Sequence, residues 1–340
     1  MDKPTVQDIF HRFYPKYLDK YTPSSQQAKV AHCIINCKTG AYGANVSICE
    51  DCGQPEIHYN SCRNRCCPMC QALPKEKWMD KRREDVLDAP YFHVVFTVPQ
   101  ELNPLIYSNQ QVLYDALYHS VSATINELTT DSRHLGAKVG YICVLHTWGS
   151  EMNYHPHIHV ILLGGGLSSK NEWRDKGKDF FLPVKVLSKM FRSKYMDELK
   201  TLHKDNKLEF HGSSEKYRNH YTFKELLNTC YDKEWIPHCK KTFNGAQSVI
   251  NYLGKYTHRI AISNHRIIRM DKDTVTYYVK DYREEGKWKE LTIPGVEFVR
   301  RFLMHVPPKR FVRIRHYGLL CTRSKNKHLT LCRNLLGCKK

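Results

Sequence analysis

The sequence predicts an α+β fold, and three observations predict it. Apolar residues recur at helical spacing near the start of the chain; two apolar, β-branched runs are joined by a link far too short for a crossover; and a long helical run separates this pair from an earlier run of the same kind. Residues 7–37 read as helical, with Ile9, Phe13 and Tyr17 and then Val30 and Ile34 on one face, broken at Tyr21-Thr-Pro-Ser24. Leu73-Pro74 opens a charged helix that runs through Trp78 to Leu87 and ends at Asp88-Ala-Pro90. Tyr91-Phe-His-Val-Val-Phe-Thr-Val98, closed by Pro99, fits a central strand, and residues 109–129 fit a helix. Gly140–Trp148 and Tyr154–Leu163 are two further strands. The link Gly149-Ser-Glu-Met-Asn153 makes them antiparallel neighbours, and Gly164-Gly-Gly166 is expected to end the second. Residues 167–243 are polar, with helical patches at 185–203 and 222–231; strands follow at 274–280 and 288–293, then a helix at about 295–304. The expected division is a helical zinc-knuckle domain over 1–88, a sheet domain flanked by helices over 89–295 with an insertion at about 167–243, and a basic segment over 296–340.

Charge narrows the function. The 340 residues hold 53 Lys and Arg against 34 Asp and Glu, a net charge of +19 and a pI near 9.3, so a polyanion is the expected partner. From Val296 onward the chain has Arg300, Arg301, Lys309, Arg310, Arg313, Arg315, Arg323, Lys325, Lys327, Arg333, Lys339 and Lys340 against the single acid Glu297, and this stretch should lie along nucleic acid. No run approaches the ~20 apolar residues of a membrane span, and Met1-Asp-Lys-Pro4 opens no apolar leader. A cytoplasmic, nucleoid-associated protein of a bacterium is expected, without membrane contact. The three glycines are followed by neither a Lys-Ser/Thr pair nor the spacing of a dinucleotide loop, so no nucleotide cofactor is expected.

Of the 14 cysteines, eight lie between Cys33 and Cys70, a density that points to reduced thiols holding metal. Cys49-Glu-Asp-Cys52 and Cys67-Pro-Met-Cys70 are two CxxC knuckles whose four thiolates would close a structural zinc site, leaving no open position. Cys37, His58, Cys62 and Cys66 are the set most suited to a second zinc. Arg63 and Arg65, between these ligands, could reach phosphate or base edges.

The chemistry is concentrated in Tyr154-His-Pro-His-Ile-His-Val160. On a strand, His157 and His159 share a face, and two parallel imidazoles grip one divalent ion, while His155 and His146 are either a third ligand or simple hydrogen-bonding neighbours. In Asn244–Arg259 a helical pattern with Asn244 as N-cap and Gln247 at the capping-box position sets Tyr252 and Tyr256 one turn apart. Ala246, Val249, Ile250 and Leu253 form its core stripe, with Ser248, Lys255 and Arg259 beyond. Gly254 within that helix suggests a close approach, with DNA one candidate. Alone, each pair would more often be packing; together they suggest nuclease chemistry through a phosphotyrosine, with Mg2+ or Mn2+ polarising the phosphate.

These residues resemble the two-tyrosine HUH transposases of rolling-circle insertion sequences, which carry an N-terminal transposase zinc-binding domain. The resemblance rests on Asn60-Ser-Cys-Arg-Asn-Arg-Cys-Cys-Pro-Met-Cys-Gln71, His93 to Pro99, His146-Thr-Trp-Gly149, His155-Pro-His-Ile-His159, Tyr252-Leu-Gly-Lys-Tyr-Thr-His-Arg259, Glu297 to His305 and Arg313-Ile-Arg-His-Tyr-Gly318. Cys66 stands where histidine is expected, an exchange between two zinc-binding side chains. The resemblance implies an HUH endonuclease sheet, Tyr252 and Tyr256 as nucleophiles, His157 and His159 as ligands of the catalytic ion, and nicking of single-stranded DNA at an element's ends followed by strand transfer. It further implies that the zinc domain and basic segment, through Arg63, Arg65, Lys255, Arg259, Arg301, Arg310, Arg313 and Arg315, meet structured end DNA. A replication initiator or relaxase would share the chemistry, and a catalytically silent zinc-dependent DNA-binding protein would share the scaffold. Oligomeric state does not follow from the sequence.

Overall fold

The computed structural model describes residues 3–176, 182–235, 238–241, 248, 254, 261–281 and 284–337. The expected tyrosine helix, with Tyr252, Tyr256, Lys255 and Arg259, lies outside the described residues.

In chain order, α1 (Val6–Leu18) and α2 (Ser25–Ile35) are both opened by capping boxes, Thr5 with Asp8 and Ser24 with Gln27, which satisfy amide groups that a helix start leaves unpaired. Strands β1 (Ala44–Ile48) and β2 (Pro55–Tyr59) form a hairpin, followed by α3 (Ala72–Arg83), β3 (Tyr91–Thr97), α4 (Asn103–Ser108) and α5 (Gln110–Thr130). Then come β4 (Lys138–Trp148), β5 (Tyr154–Leu167), the short β6 (Trp173–Asp175), α6 (Val184–Lys204), α7 (His220–Asp232) and β7 (His238–Lys241). The last elements are β8 (Ile267–Met270), β9 (Thr274–Asp281), β10 (Lys287–Pro294), α8 (Gly295–Met304), β11 (Ile314–Gly318) and α9 (Lys325–Leu335).

The described residues form two compact units. The first takes those of 1–78, 148–154 and 258–309, the second those of 79–147, 155–257 and 310–340. This departs from the expected three consecutive domains. Its physical reason is visible in the first unit's core, where Phe10 and Phe13 of α1 and Val30 and Ile34 of α2 are buried together with Val275, Tyr277 and Val279 of β9 and Phe298, Phe302 and Leu303 of α8. Phe10 meets Phe302 edge to face at 5.2 Å. The N-terminal helices therefore share one core with elements more than two hundred residues away, around the antiparallel sheet β10-β9-β8.

The second unit is built on an antiparallel sheet of order β11-β4-β5-β3-β7, with β6 added to the end of β5. Strand β5 does not stop at the glycines but runs through them to Leu167. Side chains have no room there: a Cβ on Gly165 would lie 2.4 Å from the Trp173 ring, and one on Gly166 would lie 2.3 Å from the Lys138 carbonyl oxygen. The residues expected to form a free basic segment also divide. Ile314–Gly318 is an edge strand paired with β4, and 325–335 is a helix. On one face of the sheet Phe96 of β3 meets Phe191 of α6 edge to face at 5.0 Å, beside buried Ile158 and Val160. The opposite face carries the histidines.

Candidate metal centres and nucleic-acid contacts

Three imidazoles converge on that second face. His146 of β4 and His157 and His159 of β5 are all buried, and one ring nitrogen from each lies within 4.8 Å of those of the other two. The sequence left the third member open between His146 and His155; geometry brings in His146, whose ring centroid is 4.5 Å from that of His159. His155 instead contributes its backbone, because His157 Nδ1 lies 2.6 Å from the His155 carbonyl oxygen and donates to it. Nε2 of His157 and Nε2 of His159 lie 3.0 Å apart. With the His157 proton on Nδ1 its Nε2 offers a lone pair, and His159 offers a second toward the same place when its own proton sits on Nδ1, so the donor set fits a divalent ion.

Burial also keeps these rings neutral, the state a ligand needs. It lowers the pKa of His157 to about 3, helped by the neighbouring imidazoles of His155 and His93, and holds His159 well below the ordinary histidine range. His93 of β3, which carried no role in the residue-by-residue reading, completes the cluster: its Nε2 lies 2.8 Å from His159 Nδ1. Strand pairing is the signal that would have found it. Val95 lies opposite His159, so His93 is its diagonal neighbour on the same face.

The second cluster is made of thiols. Sγ atoms of Cys37, Cys62, Cys67 and Cys70 all lie within 4.8 Å of one another, with Cys37 to Cys70 at 3.4 Å. Cys37 follows α2, Cys62 follows β2, and Cys67 and Cys70 bracket a tight turn. Four thiols this close suit a tetrahedral thiophilic ion and no substrate. Burial raises the Cys62 thiol to about 12 and pushes Cys67 up as well, with the neighbouring thiols adding to both shifts. The set corrects the expected one, taking one knuckle from the first predicted site and two ligands from the second. Cys49 and Cys52 are exposed on the loop between β1 and β2 and do not reach Cys67 and Cys70. Cys66 turns into the hydrophobic core of its unit, and His58 is exposed beside Glu56. The hairpin keeps its first CxxC apart because Cys49 and Gly53 close the loop on themselves, Gly53 N–H donating to the Cys49 carbonyl at 2.9 Å.

The expected DNA-contacting cations differ in availability. Arg63, Lys309 and Arg310 are exposed. Arg65 is partly buried and donates to the Pro308 carbonyl at 2.9 Å. Arg301 donates to Glu297 at 2.8 Å and to the Glu151 carbonyl at 3.0 Å. Arg315 pairs with Asp115 and lies 4.0 Å from the centre of the Tyr118 ring, a packing role. Arg313 is half-buried and its carbonyl accepts from the Leu145 amide at 3.0 Å.

Comparison with known proteins gives the family. The family described as "Putative transposase" matches residues 140–328, and the one described as "Transposase zinc-binding domain" matches residues 9–98. The chain is 40% identical over 336 residues to "Putative transposase y4qJ" of Sinorhizobium fredii, covering 98% of this chain and 84% of that one. It is 26% identical over 301 residues to the transposase for insertion sequence element IS801 of Pseudomonas savastanoi pv. phaseolicola, covering 87% of this chain and 70% of that one. Among solved structures, the conjugative relaxase TrwC in its metal-free complex with oriT DNA covers 51% of this chain and 74% of its own at 15% identity, with a TM-score of 0.27, too low to bear on the fold. The two family matches thus define a transposase with a zinc-binding domain. The chain belongs to the two-tyrosine HUH transposases of rolling-circle insertion sequences. Among the described residues no helix is long and apolar enough to cross a membrane.

Proposed function

We propose that this transposase nicks single-stranded DNA at the ends of its element through a 5′-phosphotyrosine and then transfers the strand. The observation that carries the reading is the convergence of His146, His157 and His159 on buried strands of a chain in this family. A divalent ion held there, Mg2+ or Mn2+, would supply Lewis acidity at a non-bridging phosphate oxygen. The chain's own residues do the rest. Neutral His157 and His159 present lone pairs rather than protons, and their buried strands hold them in place at no further entropic cost. The phenolic oxygen of Tyr252 or Tyr256 bonds to phosphorus as the bond from phosphorus to the 3′ oxygen breaks; the phenolic proton is balanced by the proton taken up by the departing 3′ oxygen. The ester retains the bond energy for rejoining, so no nucleotide is consumed. A second tyrosine lets one protomer hold one end while another is cut.

We assign a structural zinc to Cys37, Cys62, Cys67 and Cys70, and phosphate contact to Arg63, Lys309 and Arg310, whose side chains are exposed. The test incubates the protein with Mn2+ and labelled single-stranded DNA from its element's ends and looks for a denaturant-resistant adduct. The adduct should form with the wild type, vanish in His157→Ala and be lost or redirected in Tyr252→Phe and Tyr256→Phe. Tight binding of the same DNA with no adduct in any metal would replace this reading with a silent DNA-binding protein.

A further inference from the structure

We infer that His93 is a positioning residue for the ion site, accepting a hydrogen bond that fixes the ring of His159; the inference rests on reading His146, His157 and His159 as ligands. A neutral imidazole has one N–H, so one of its nitrogens donates and the other accepts. For His159 to offer Nε2 to an ion, its proton must sit on Nδ1. That Nδ1 lies 2.8 Å from His93 Nε2, with the two ring planes within 5° of parallel. His93 Nε2 therefore accepts, and the proton of His93 resides on its own Nδ1. The opposite assignment places a proton on His159 Nε2, 3.0 Å from His157 Nε2, and removes His159 from ligation.

His157 meets the same requirement with backbone, donating from Nδ1 to the His155 carbonyl. Each ligand of the β5 pair thus uses Nδ1 to lock its ring and points Nε2 at the same place. Ligand histidines usually find a carboxylate, carbonyl or water for this purpose. Here a neutral side chain on the neighbouring strand does it, at the diagonal position where antiparallel pairing brings it within reach. Both rings are buried, His93 at 8% and His159 at 9% exposure, so water competes little for the bond.

The experiment measures Mn2+ affinity from the free-ion electron paramagnetic resonance signal for the wild type, His93→Leu and His93→Gln, with near-ultraviolet circular dichroism to check folding. Leu, which removes the acceptor, should weaken Mn2+ binding by about 10- to 100-fold, the usual loss on deleting such a partner. Gln, whose amide oxygen reaches the place of Nε2, should restore most of it. Equal affinity in the wild type and His93→Leu, or a Gln variant as weak as a folded Leu variant, would overturn the role. A wild type that binds no Mn2+ would overturn the ion site and this inference together. An independent readout needs no variant: with diamagnetic Mg2+ bound, the ring nitrogens of His159, resolved by long-range proton–nitrogen NMR, should show the proton on Nδ1, and a proton on Nε2 of the loaded protein would overturn the inference.

Discussion

At the scale of single residues, burial sets the charge of histidines in both units, and it does so away from the ion site as well. His305, 3% exposed, donates from Nε2 to the Met152 carbonyl at 3.1 Å, with the Tyr154 ring parallel to it. Burial lowers its pKa to about 4, against the smaller opposing pull of the Met152 carbonyl. The folded state thus keeps His305 neutral where an unfolded chain, titrating near ~6.5, already binds a proton. Between about pH 6.5 and pH 4 the unfolded state holds more protons, so stability rises with pH across that window and is lost as pH falls through it. The loss is on the order of 3 kcal/mol at full development. Urea unfolding at pH 7 and at pH 4.5 should show a larger drop for the wild type than for His305→Gln, which keeps a donor but cannot titrate. Parallel drops in the two proteins would show that His305 is not the group responsible.

At the scale of elements, β5 carries both the histidine pair and the glycines that let its far end pack. A Cβ at position 166 would stand 2.3 Å from the Lys138 oxygen and 2.8 Å from the Lys138 carbonyl carbon, and backbone cannot swing aside as a flexible side chain does. Gly166→Ala should therefore cost about 1–3 kcal/mol in urea unfolding, the range for overpacking. Gly40→Ala, at a position with nothing within 4 Å, should be close to neutral. If the two substitutions prove equal, close approach is not the reason for glycine at 166. Which elements were legible in the sequence follows from the same packing. The runs at 91–97 and 138–148 are apolar and β-branched because both their faces are buried, that at 274–281 because Val275, Tyr277 and Val279 bury one face, and the expected strands match them closely. Strand β11 was hidden because an edge strand tolerates charge: Arg313-Ile-Arg-His-Tyr reads as part of a basic segment laid along nucleic acid, while Tyr317 stacks on Tyr141 at 5.2 Å. The thiol set was hidden for a different reason. CxxC spacing shows that two thiolates share an ion but not which distant ligands join them, and the fold joins Cys67 and Cys70 to Cys37 and Cys62.

For the whole molecule, the thiol cluster and the first unit's core are one structure. Cys37 and Cys67 are fully buried members of the core that holds Phe10, Phe13, Phe298 and Phe302, and Gln7 of α1 donates to both the Ile35 and the Cys37 carbonyls at 2.8 Å. A structural zinc contributes an apparent ~10–16 kcal/mol, as much as the ~5–15 kcal/mol that stabilises an ordinary domain. Its removal should therefore unfold the first unit as a body, reaching β8, β9, β10 and α8 although these lie two hundred residues from the cysteines in sequence. The second unit has its own core around β3, β4 and β5, with no thiol of the tetrad in it, and should keep its structure. Hydrogen exchange read by mass spectrometry before and after strong zinc chelation separates the possibilities. Protection should collapse over 6–35 and 267–304 together and persist over 91–97, 138–147 and 155–167. Loss confined to about 36–71 would mean that the hydrophobic core stands without the ion, and loss spreading through the sheet would mean that the two cores fold as one. Metal content ties the result to its ligands: Cys62→Ser should release the zinc, whereas Cys49→Ser, on the exposed hairpin, should retain it, and the reverse outcome would return the site to the two CxxC knuckles.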